Sequence, residues 1–357
     1  MKSSIRIGDS MIGLTHPTLI VAEIGVNHDG DESRAMELVH FAEACGADAV
    51  KLQVFRADRL MHPSASFAEY QKSRCADASP IDMLRRYELS AESLVRICDL
   101  IRSLDLIPLA TPFSPSDVAI LKRLNIPAIK IASPDIVNRP LLSAVAALDR
   151  PMLVSTGAAT TAEIAHAVGW IREAGNPLCL LHCISSYPVM KEAAHLGWIS
   201  ALAREFGVPI GYSDHTTEQM AGAFAVMAGA VLVERHLTYD RSAVGPDHAA
   251  SSDPDQFAAY VKAIRIADAM RGSGSRRVLP IECDVRRVSR QSLVLRRSVR
   301  QGQLLTAADV TVQRPAIGIP ADQFETVVGS RARTDCPAGT LLQWDMLLTN
   351  AETADAA

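Results

Sequence analysis

Short runs of Val, Ile, Leu and Ala recur along the first 240 residues, each bounded by turn residues and each followed by apolar positions at helical spacing. Eight such runs predict strands over 19–24, 49–54, 106–110, 128–132, 151–155, 178–183, 208–212 and 231–236. The segments between them, 32–45, 90–103, 115–124, 141–148, 161–174, 197–206 and 218–227, predict crossover helices, and 254–270 a last one. Ser116-Asp117 marks a helix start, and Thr160 placed three residues before Glu163 has the spacing of a capping box. Strand alternating with helix implies a parallel sheet. Eight repeats of about 20 to 30 residues fit a (β/α)8 TIM barrel better than an open doubly wound sheet.

The rhythm breaks between Val54 and Leu106, where 57–63 and Arg74-Cys75-Ala76-Asp77 predict an extended insertion between the second strand and second helix. It breaks again after 270. The chain divides into a barrel over 1–272, a linker over 273–290 without sustained periodicity, a small β-rich domain over 291–350 and a frayed tail over 351–357. Short predicted strands over 292–299 and 306–312, with Gly302, Gly318, Gly329 and Gly339 at turns, define that small domain. At about 60 residues it is near the lower limit for an independent core, which implies that it docks onto something.

Composition narrows the class. The chain has 357 residues, 48% hydrophobic and 21% charged, with a net charge of -4, so it has the material for a large core and is not disordered. No window reaches the roughly 18 unbroken apolar residues of a membrane span. Acids outnumber bases 40 to 36, which gives no support to a nucleic-acid surface. The N-terminus lacks the basic-then-apolar order of a secretory signal, and the 7 cysteines show neither CxxC pairs nor a disulfide framework, so a reduced, cytoplasmic protein is expected. No GxGxxG or P-loop pattern supports a nucleotide cofactor. Only 7 of the basic residues are lysines, so a lysine in an apolar run stands out.

In a barrel, the carboxyl ends of the strands converge on one rim. Here all eight ends are polar: Glu23 with Asn27-His28; Lys51 and Gln53; Thr111; Lys130, Ser133 and Asp135; Ser155; His182 with Ser185 and Tyr187; Ser213-Asp214-His215; and Glu234-Arg235-His236. Strands buried on both faces are ordinarily apolar throughout, so eight polar ends on one side point to a site. Lys51 and Lys130 sit inside AVKLQV and AIKIAS, where an ammonium requires a compensating anion. That anion is either a neighbouring barrel carboxylate or a ligand; a Schiff-base role is the third reading. The hydroxyls of Thr111, Ser133, Ser155, Ser185 and Ser213 beside two cations suit phosphate and carboxylate groups.

His215 and His236 close adjacent strands, flanked by Asp214 and Glu234, so their imidazoles can share one divalent cation. Two nitrogens completed by water, carboxylate and substrate oxygen favour Mn2+ or Mg2+ over structural zinc. His28 and His248 are weaker candidates, and His182 reads equally as core or site. Asp247, in Gly245-Pro246-Asp247-His248, is either an ordinary turn residue or a carboxylate held over the rim.

As a set, VAEIGVNHDGD at 21–31, GADAVKLQVF at 46–55, ATPFSPSDV at 110–118, IPAIKIASPDI at 126–136, VSTGAAT at 154–160, LHCISSYP at 181–188, PIGYSDHT at 209–216, VLVERHLTYDR at 231–241 and GPDHAAS at 245–251 resemble the sialic acid (N-acetylneuraminate) synthase family. The stretch from RQSLVLRRSV to RPAIGI is similar to the antifreeze-like SAF domain that follows the barrel in that family. The resemblance implies a transferase of sialic acid biosynthesis that joins phosphoenolpyruvate to N-acetylmannosamine or a related amino sugar, with His215 and His236 on the metal. It implies that Lys51, Thr111, Lys130, Ser133, Ser155, Ser185 and Ser213 hold phosphoenolpyruvate. Glu23, Gln53, Tyr187 and Asp247 would contact the sugar, with Glu23, Glu234 and Asp247 sharing the acid, base and water-guiding roles. Arg314 would reach the N-acetyl group in a partner subunit, which implies a domain-swapped homodimer.

Departures from the family pattern are Ser133-Pro134-Asp135 for Ser-Gly-Glu, Ser185 for a common Asn, Ala158 for a common Met, and Ala316 for Gly after Arg314-Pro315. None removes a charged group or a metal histidine, but they leave open the relatives' 2,4-diacetamido-2,4,6-trideoxyhexoses, precursors of legionaminic and pseudaminic acids. The rivals are a metal-free Schiff-base aldolase and a noncatalytic ice-binding protein. Ice binding needs a regular, commonly Thr-rich array, whereas the threonines of 291–350 are dispersed.

Overall fold

A computed structural model describes residues 4–67 and 79–348, and it resolves two compact units, Met1–Ser273 and Gly274–Ala357. In the first, eight parallel strands close a barrel in the order β10-β3-β4-β5-β6-β7-β8-β9. They are β3 Leu19–Glu23, β4 Ala49–Val54, β5 Ile107–Pro112, β6 Ile129–Ile131, β7 Met152–Ser155, β8 Leu178–His182, β9 Ile210–Asp214 and β10 Leu232–His236. The expected (β/α)8 architecture is present. β5 and β9 run about two residues beyond their predicted ends: Pro209 has no N–H for the ladder, while Thr111, Ser213 and Asp214 stay in register because the rim is buried.

Period-two alternation sorts the strand residues. Ile20, Ala22, Val50, Leu52, Ile129, Ile131, Val154, Leu180 and Val233 face outward into the shell shared with the helices. Leu19, Val21, Ala49, Leu109, Leu153, Cys179, Leu181 and Leu232 face the lumen. Continuing the inward series one or two positions along each strand gives Glu23, Lys51, Gln53, Thr111, Lys130, Ser155, Ser213, Glu234 and His236. The lower lumen is therefore apolar and the upper lumen polar.

Helices Glu32–Ala44, Ala91–Ser103, Thr161–Glu173 and Pro254–Arg271 surround the barrel, started by Asp31, Ser90, Thr160 and Asp253, each accepting from a backbone N–H three residues on. The Thr160–Glu163 capping box is formed in both directions. The predicted insertion contains helices Ala57–Leu60 and Pro80–Arg86; Arg74-Cys75-Ala76-Asp77 and the tail 351–357 lie outside the described residues.

One element went unread in the sequence. β1 Ser4–Ile7 and β2 Ser10–Gly13 pair as an antiparallel hairpin, and Ile5, Ile7 and Ile12 pack beneath the lumen against Leu19, Val21, Leu109 and Leu153. Four-residue strands around a two-residue turn are too short for periodicity to register.

The second unit begins with exposed backbone rather than an unstructured linker alone: residues 283–289, without apolar periodicity, form the helix Cys283–Ser289. Its core gathers Leu293, Leu295, Val299, Leu305, Val310, Ile319, Val327, Leu342 and Leu347 around the antiparallel pair β11 Ser292–Leu295 and β12 Val310–Gln313, with β13 Arg331–Ala332 and β14 Leu347–Leu348. Both long strands are shorter than predicted. Thr306 starts a turn closed by Asp309, whose carboxylate accepts from Thr306 N at 2.8 Å and from its hydroxyl at 2.6 Å.

Ile7 is completely buried. Replacing it with Ala leaves a void under the lumen and is expected to destabilise the barrel by about 2–4 kcal/mol, measured as a lower denaturant midpoint at unchanged slope.

Candidate active site

The polar upper lumen opens into a cavity of ≈ 530 Å³ lined by Glu23, Lys51, Gln53, Thr111, Lys130, Ser133, Ser155, Ser185, Tyr187, Ser213, His215, Glu234, His236 and Asp247. These residues, nominated from the sequence one strand at a time, all border one space. Arg314 is exposed on the second unit, just beyond β12.

At the floor, Lys51 Nζ lies 2.9 Å from Glu23 Oε2 and 3.2 Å from Glu234 Oε1, and donates to Thr111 Oγ1 at 3.2 Å. Lys130 donates to Ser155 Oγ at 2.6 Å and to Ile131 O at 3.3 Å, but its nearest carboxylate oxygen, on Glu234, is 3.8 Å away and already faces Lys51. Burial disfavours every one of these charges, and the neighbours decide the outcome. Despite burial, Glu234 is held down to about 2 by Lys130 and Lys51. Glu23 rises above its ordinary range because burial and Glu234 outweigh Lys51. Lys51, buried between two carboxylates, is raised by them, whereas burial lowers Lys130, with Lys51 repelling it and Glu234 only partly compensating. Lys130 is the less compensated cation.

Beside it, Ser133 Oγ accepts from Gly157 N at 3.1 Å and stands 3.0 Å from Cys183 Sγ. A Cβ on Gly157 would lie 2.3 Å from Ser185 Oγ and 2.9 Å from Ser133 Oγ, so only glycine lets these side chains converge. Cys183, within LHCISSYP at the end of the sixth predicted strand, drew no role from the sequence; its inward position on the strand alternation was the available signal. Also unread was an apolar wall of Val26, Phe55, Met83 and Phe113 along one side of the cavity.

Toward the mouth, the His215 and His236 rings meet edge to face at 5.6 Å, and Tyr187 packs 4.2 Å from His215. His215 Nδ1 donates to Ile184 O at 2.8 Å, so the lone pair is on Nε2, 3.4 Å from Ser213 Oγ, whose hydroxyl donates to Glu234. His236 Nδ1 is buried without a hydrogen-bond partner, 3.6 Å from Asp247 Oδ2. Burial, reinforced by His236 for the first and by Lys51 for the second, brings both imidazoles down to about 4, so both present neutral nitrogen at neutral pH. This donor pair fits a divalent cation completed by water and substrate oxygens; among the described residues no group of three His, Cys, Asp or Glu stands ready to hold one alone.

Some sequence candidates point elsewhere. Asp214 faces outward, 2.9 Å from Arg235 Nη1 and accepting from Tyr212 and Tyr260 hydroxyls at 3.1 and 2.8 Å, so it ties β9 to β10 and the last helix rather than flanking the histidine pair. His182 also faces outward, pairing through Nε2 with Ala194 O at 2.8 Å and stacking on Tyr212. His28 and His248 are buried and do not line the cavity.

Paired buried lysines, convergent hydroxyls and two neutral histidines at the carboxyl rim of a (β/α)8 barrel, with a small β-rich domain in the same chain, are the architecture of a two-domain barrel enzyme. The chain belongs to the NeuB family, whose model matches residues 38–276, and a SAF domain matches 290–348. It is 38% identical over 339 residues to the N,N'-diacetyllegionaminic acid synthase of Legionella pneumophila, covering 93% of this chain and 95% of that protein. Among solved structures it is similar to the N-acetylneuraminic acid (sialic acid) synthetase of Leptospira borgpetersenii, with TM-score 0.71 and 30% identity over 79% of this chain and 94% of that one. It also resembles a putative spore coat polysaccharide biosynthesis protein E of Chromobacterium violaceum, with TM-score 0.80 and 26% identity over 93% and 99% of the two chains.

His28 yields a pH test independent of catalysis. Its Nδ1 accepts from Gly30 N at 3.0 Å, and burial lowers its pKa to about 4, against about 6.5 in an unfolded chain. The fold therefore favours the neutral ring. Its contribution is intact above about pH 6.5 and is lost as pH falls toward about 4, the loss there amounting to about 3 kcal/mol. His28→Asn, whose amide oxygen still accepts from Gly30, is expected to flatten the decline of unfolding free energy between pH 7 and 4.5.

Proposed function

We propose that the protein condenses phosphoenolpyruvate with the open-chain form of N-acetylmannosamine, or a related 2-acetamido sugar, and water, giving N-acetylneuraminate or a related nonulosonic acid and phosphate. The observation that carries this reading is Lys130. It is a buried ammonium whose nearest carboxylate is 3.8 Å away and shared with Lys51, and it opens onto a cavity bordered by Thr111, Ser133, Ser155, Ser185 and Ser213. The phosphate and carboxylate of phosphoenolpyruvate supply the missing negative charge and accept from those hydroxyls. The named relatives support the product class.

Glu23, Gln53, Tyr187 and Asp247 would bind the sugar above that anion. Gln53 Nε2 donates to Glu23 Oε1 at 2.9 Å and so fixes the glutamate's direction, while the raised proton affinity of Glu23 suits it to hold a proton near a sugar hydroxyl. The enol double bond supplies the electron pair of the new carbon–carbon bond, water adds to the cationic carbon left behind, and the carbon–oxygen bond to phosphate breaks. Glu234, ionised and fixed by Ser213 Oγ at 3.1 Å, stands with Asp247 as a guide for that water. A Mn2+ or Mg2+ ion on His215 and His236 would supply Lewis-acid polarisation of the sugar aldehyde. Arg314 would complete the sugar site of a partner subunit in a domain-swapped homodimer, and the six described cysteines, all free, fit a cytoplasmic setting.

The lowered proton affinity of Lys130 also favours a second reading, a Schiff-base lysine. Enzyme, Mn2+, phosphoenolpyruvate and either N-acetylmannosamine or a 2,4-diacetamido-2,4,6-trideoxyhexose are expected to release phosphate and a 2-keto acid in equal amounts, with EDTA abolishing the reaction. Absence of phosphate release with every 2-acetamido hexose, together with borohydride trapping of pyruvate on Lys130, would establish the rival.

Two substitutions separate the roles. Lys130→Met is expected to lower kcat/KM at least about a hundredfold. His236→Gln is expected to abolish the rise in thermal midpoint that Mn2+ produces in the wild type, a readout that needs no turnover.

A further inference from the structure

Asp247 reaches the site from a loop, and a loop carboxylate is useful only where its backbone is held. The loop from Gly245 to Ser252 is fastened at its far end by backbone pairing with the barrel: Ser252 N donates to His236 O at 2.9 Å and Thr238 N to Ser252 O at 2.9 Å. The rest is fastened by the segment Asn27-His28-Asp29, which leaves the first barrel strand and belongs to no helix. Asn27 is buried; its Nδ2 donates to Leu237 O at 2.9 Å and to Ser251 Oγ at 2.8 Å. Ser251 Oγ in turn donates to the carbonyl of Asp247 at 2.8 Å.

A second attachment runs through the neighbour of Asp247. His248, fully buried, donates from Nε2 to Asp29 Oδ1 at 3.0 Å, and its Nδ1 pairs with Thr238 Oγ1 at 2.7 Å. The other Asp29 oxygen accepts from Arg34 Nη1 and from the Tyr239 hydroxyl, each at 2.8 Å, with the guanidinium 4.2 Å above the Tyr239 ring. Asp29 itself is in the left-handed region, at φ 54°. Gly245 admits the arrangement, because a Cβ there would lie 2.7 Å from His248 Cδ2.

We propose that Asn27, Asp29 and His248 are positioning residues: a two-point latch between the loops after the first and eighth barrel strands that holds the Asp247 carboxylate over the rim beside His236. None of them lines the cavity, so their effect passes through Asp247. The assignment rests on the reading that Asp247 serves the condensation.

The test is a set of double-mutant cycles on the full chain. Ser251→Ala and His248→Ala are each expected to lower kcat/KM for the sugar by about tenfold or more, with KM for phosphoenolpyruvate changed less than about twofold. In an Asp247→Asn background the same substitutions are expected to have almost no further effect, which a general loss of packing would not reproduce. His248→Gln, whose amide reaches the place of Nε2, is expected to recover most of the loss, and Asp29→Asn replaces His248→Ala if that variant fails to fold. Hydrogen exchange over 245–252 reads the latch without turnover and is expected to accelerate in Ser251→Ala and Asp29→Asn. Additive losses in the Asp247→Asn background, or unchanged exchange over 245–252, overturn the latch. A wild-type protein that releases no phosphate overturns the condensation reading alone, and the exchange measurement still decides the latch.

Discussion

Four charges buried in the upper lumen govern the architecture. Lys51, Lys130, Glu23 and Glu234 are each at most 5% exposed, and no single one is tolerable there without the others. The requirement fixes which strands are neighbours in function. Glu234 on β10 serves lysines on β4 and β6, across the barrel rather than along one strand, so closure of the sheet is a precondition for neutralising them. Because Glu23 pairs with Lys51 and Glu234 lies nearer to Lys51, at 3.2 Å, than to Lys130, at 3.8 Å, Lys130 remains under-compensated. The protein's own groups thus leave a local electrostatic deficit at the place where convergent hydroxyls stand. A total charge of -4 gives no sign of it, since the field that matters is confined to a few ångströms of low-dielectric interior.

The same alternation that builds the barrel divides labour along each strand. On β10, Glu234 and His236 face inward while Arg235 points out to Asp214, 2.9 Å away, and to Ser252. Asp214, Arg235 and Tyr260 form a second buried polar cluster on the outer side of the wall, which locks the last two strands to the last helix beneath the histidine pair. Adjacent polar letters in the sequence therefore serve opposite faces, one set for chemistry and the other for holding the wall that carries it.

This division explains what the sequence disclosed and what it withheld. The eight strands were legible because a strand buried on both faces leaves an unbroken apolar run, and the rim residues because each run ends in a polar group. What escaped was whatever depends on a partner distant in the chain. Asp214 read as a flank of the histidine pair, and His182 equally as core or site, until the facing of β9 and β8 was known. The approach of Cys183 to Ser133, across 50 residues, was not readable, and the contacts of Asn27 and Asp29 were invisible because their partners Ser251 and His248 lie more than two hundred residues away. The N-terminal hairpin, too short to show a period, is recognisable only by what its isoleucines cover.

That hairpin has a kinetic meaning. With Ile5, Ile7 and Ile12 packed across the amino end, the cavity opens, among the described residues, at the carboxyl rim. On the proposed reading, phosphoenolpyruvate on the lysine floor would therefore enter before the sugar that sits above it. A closed base would thus turn a spatial stack into an order of addition.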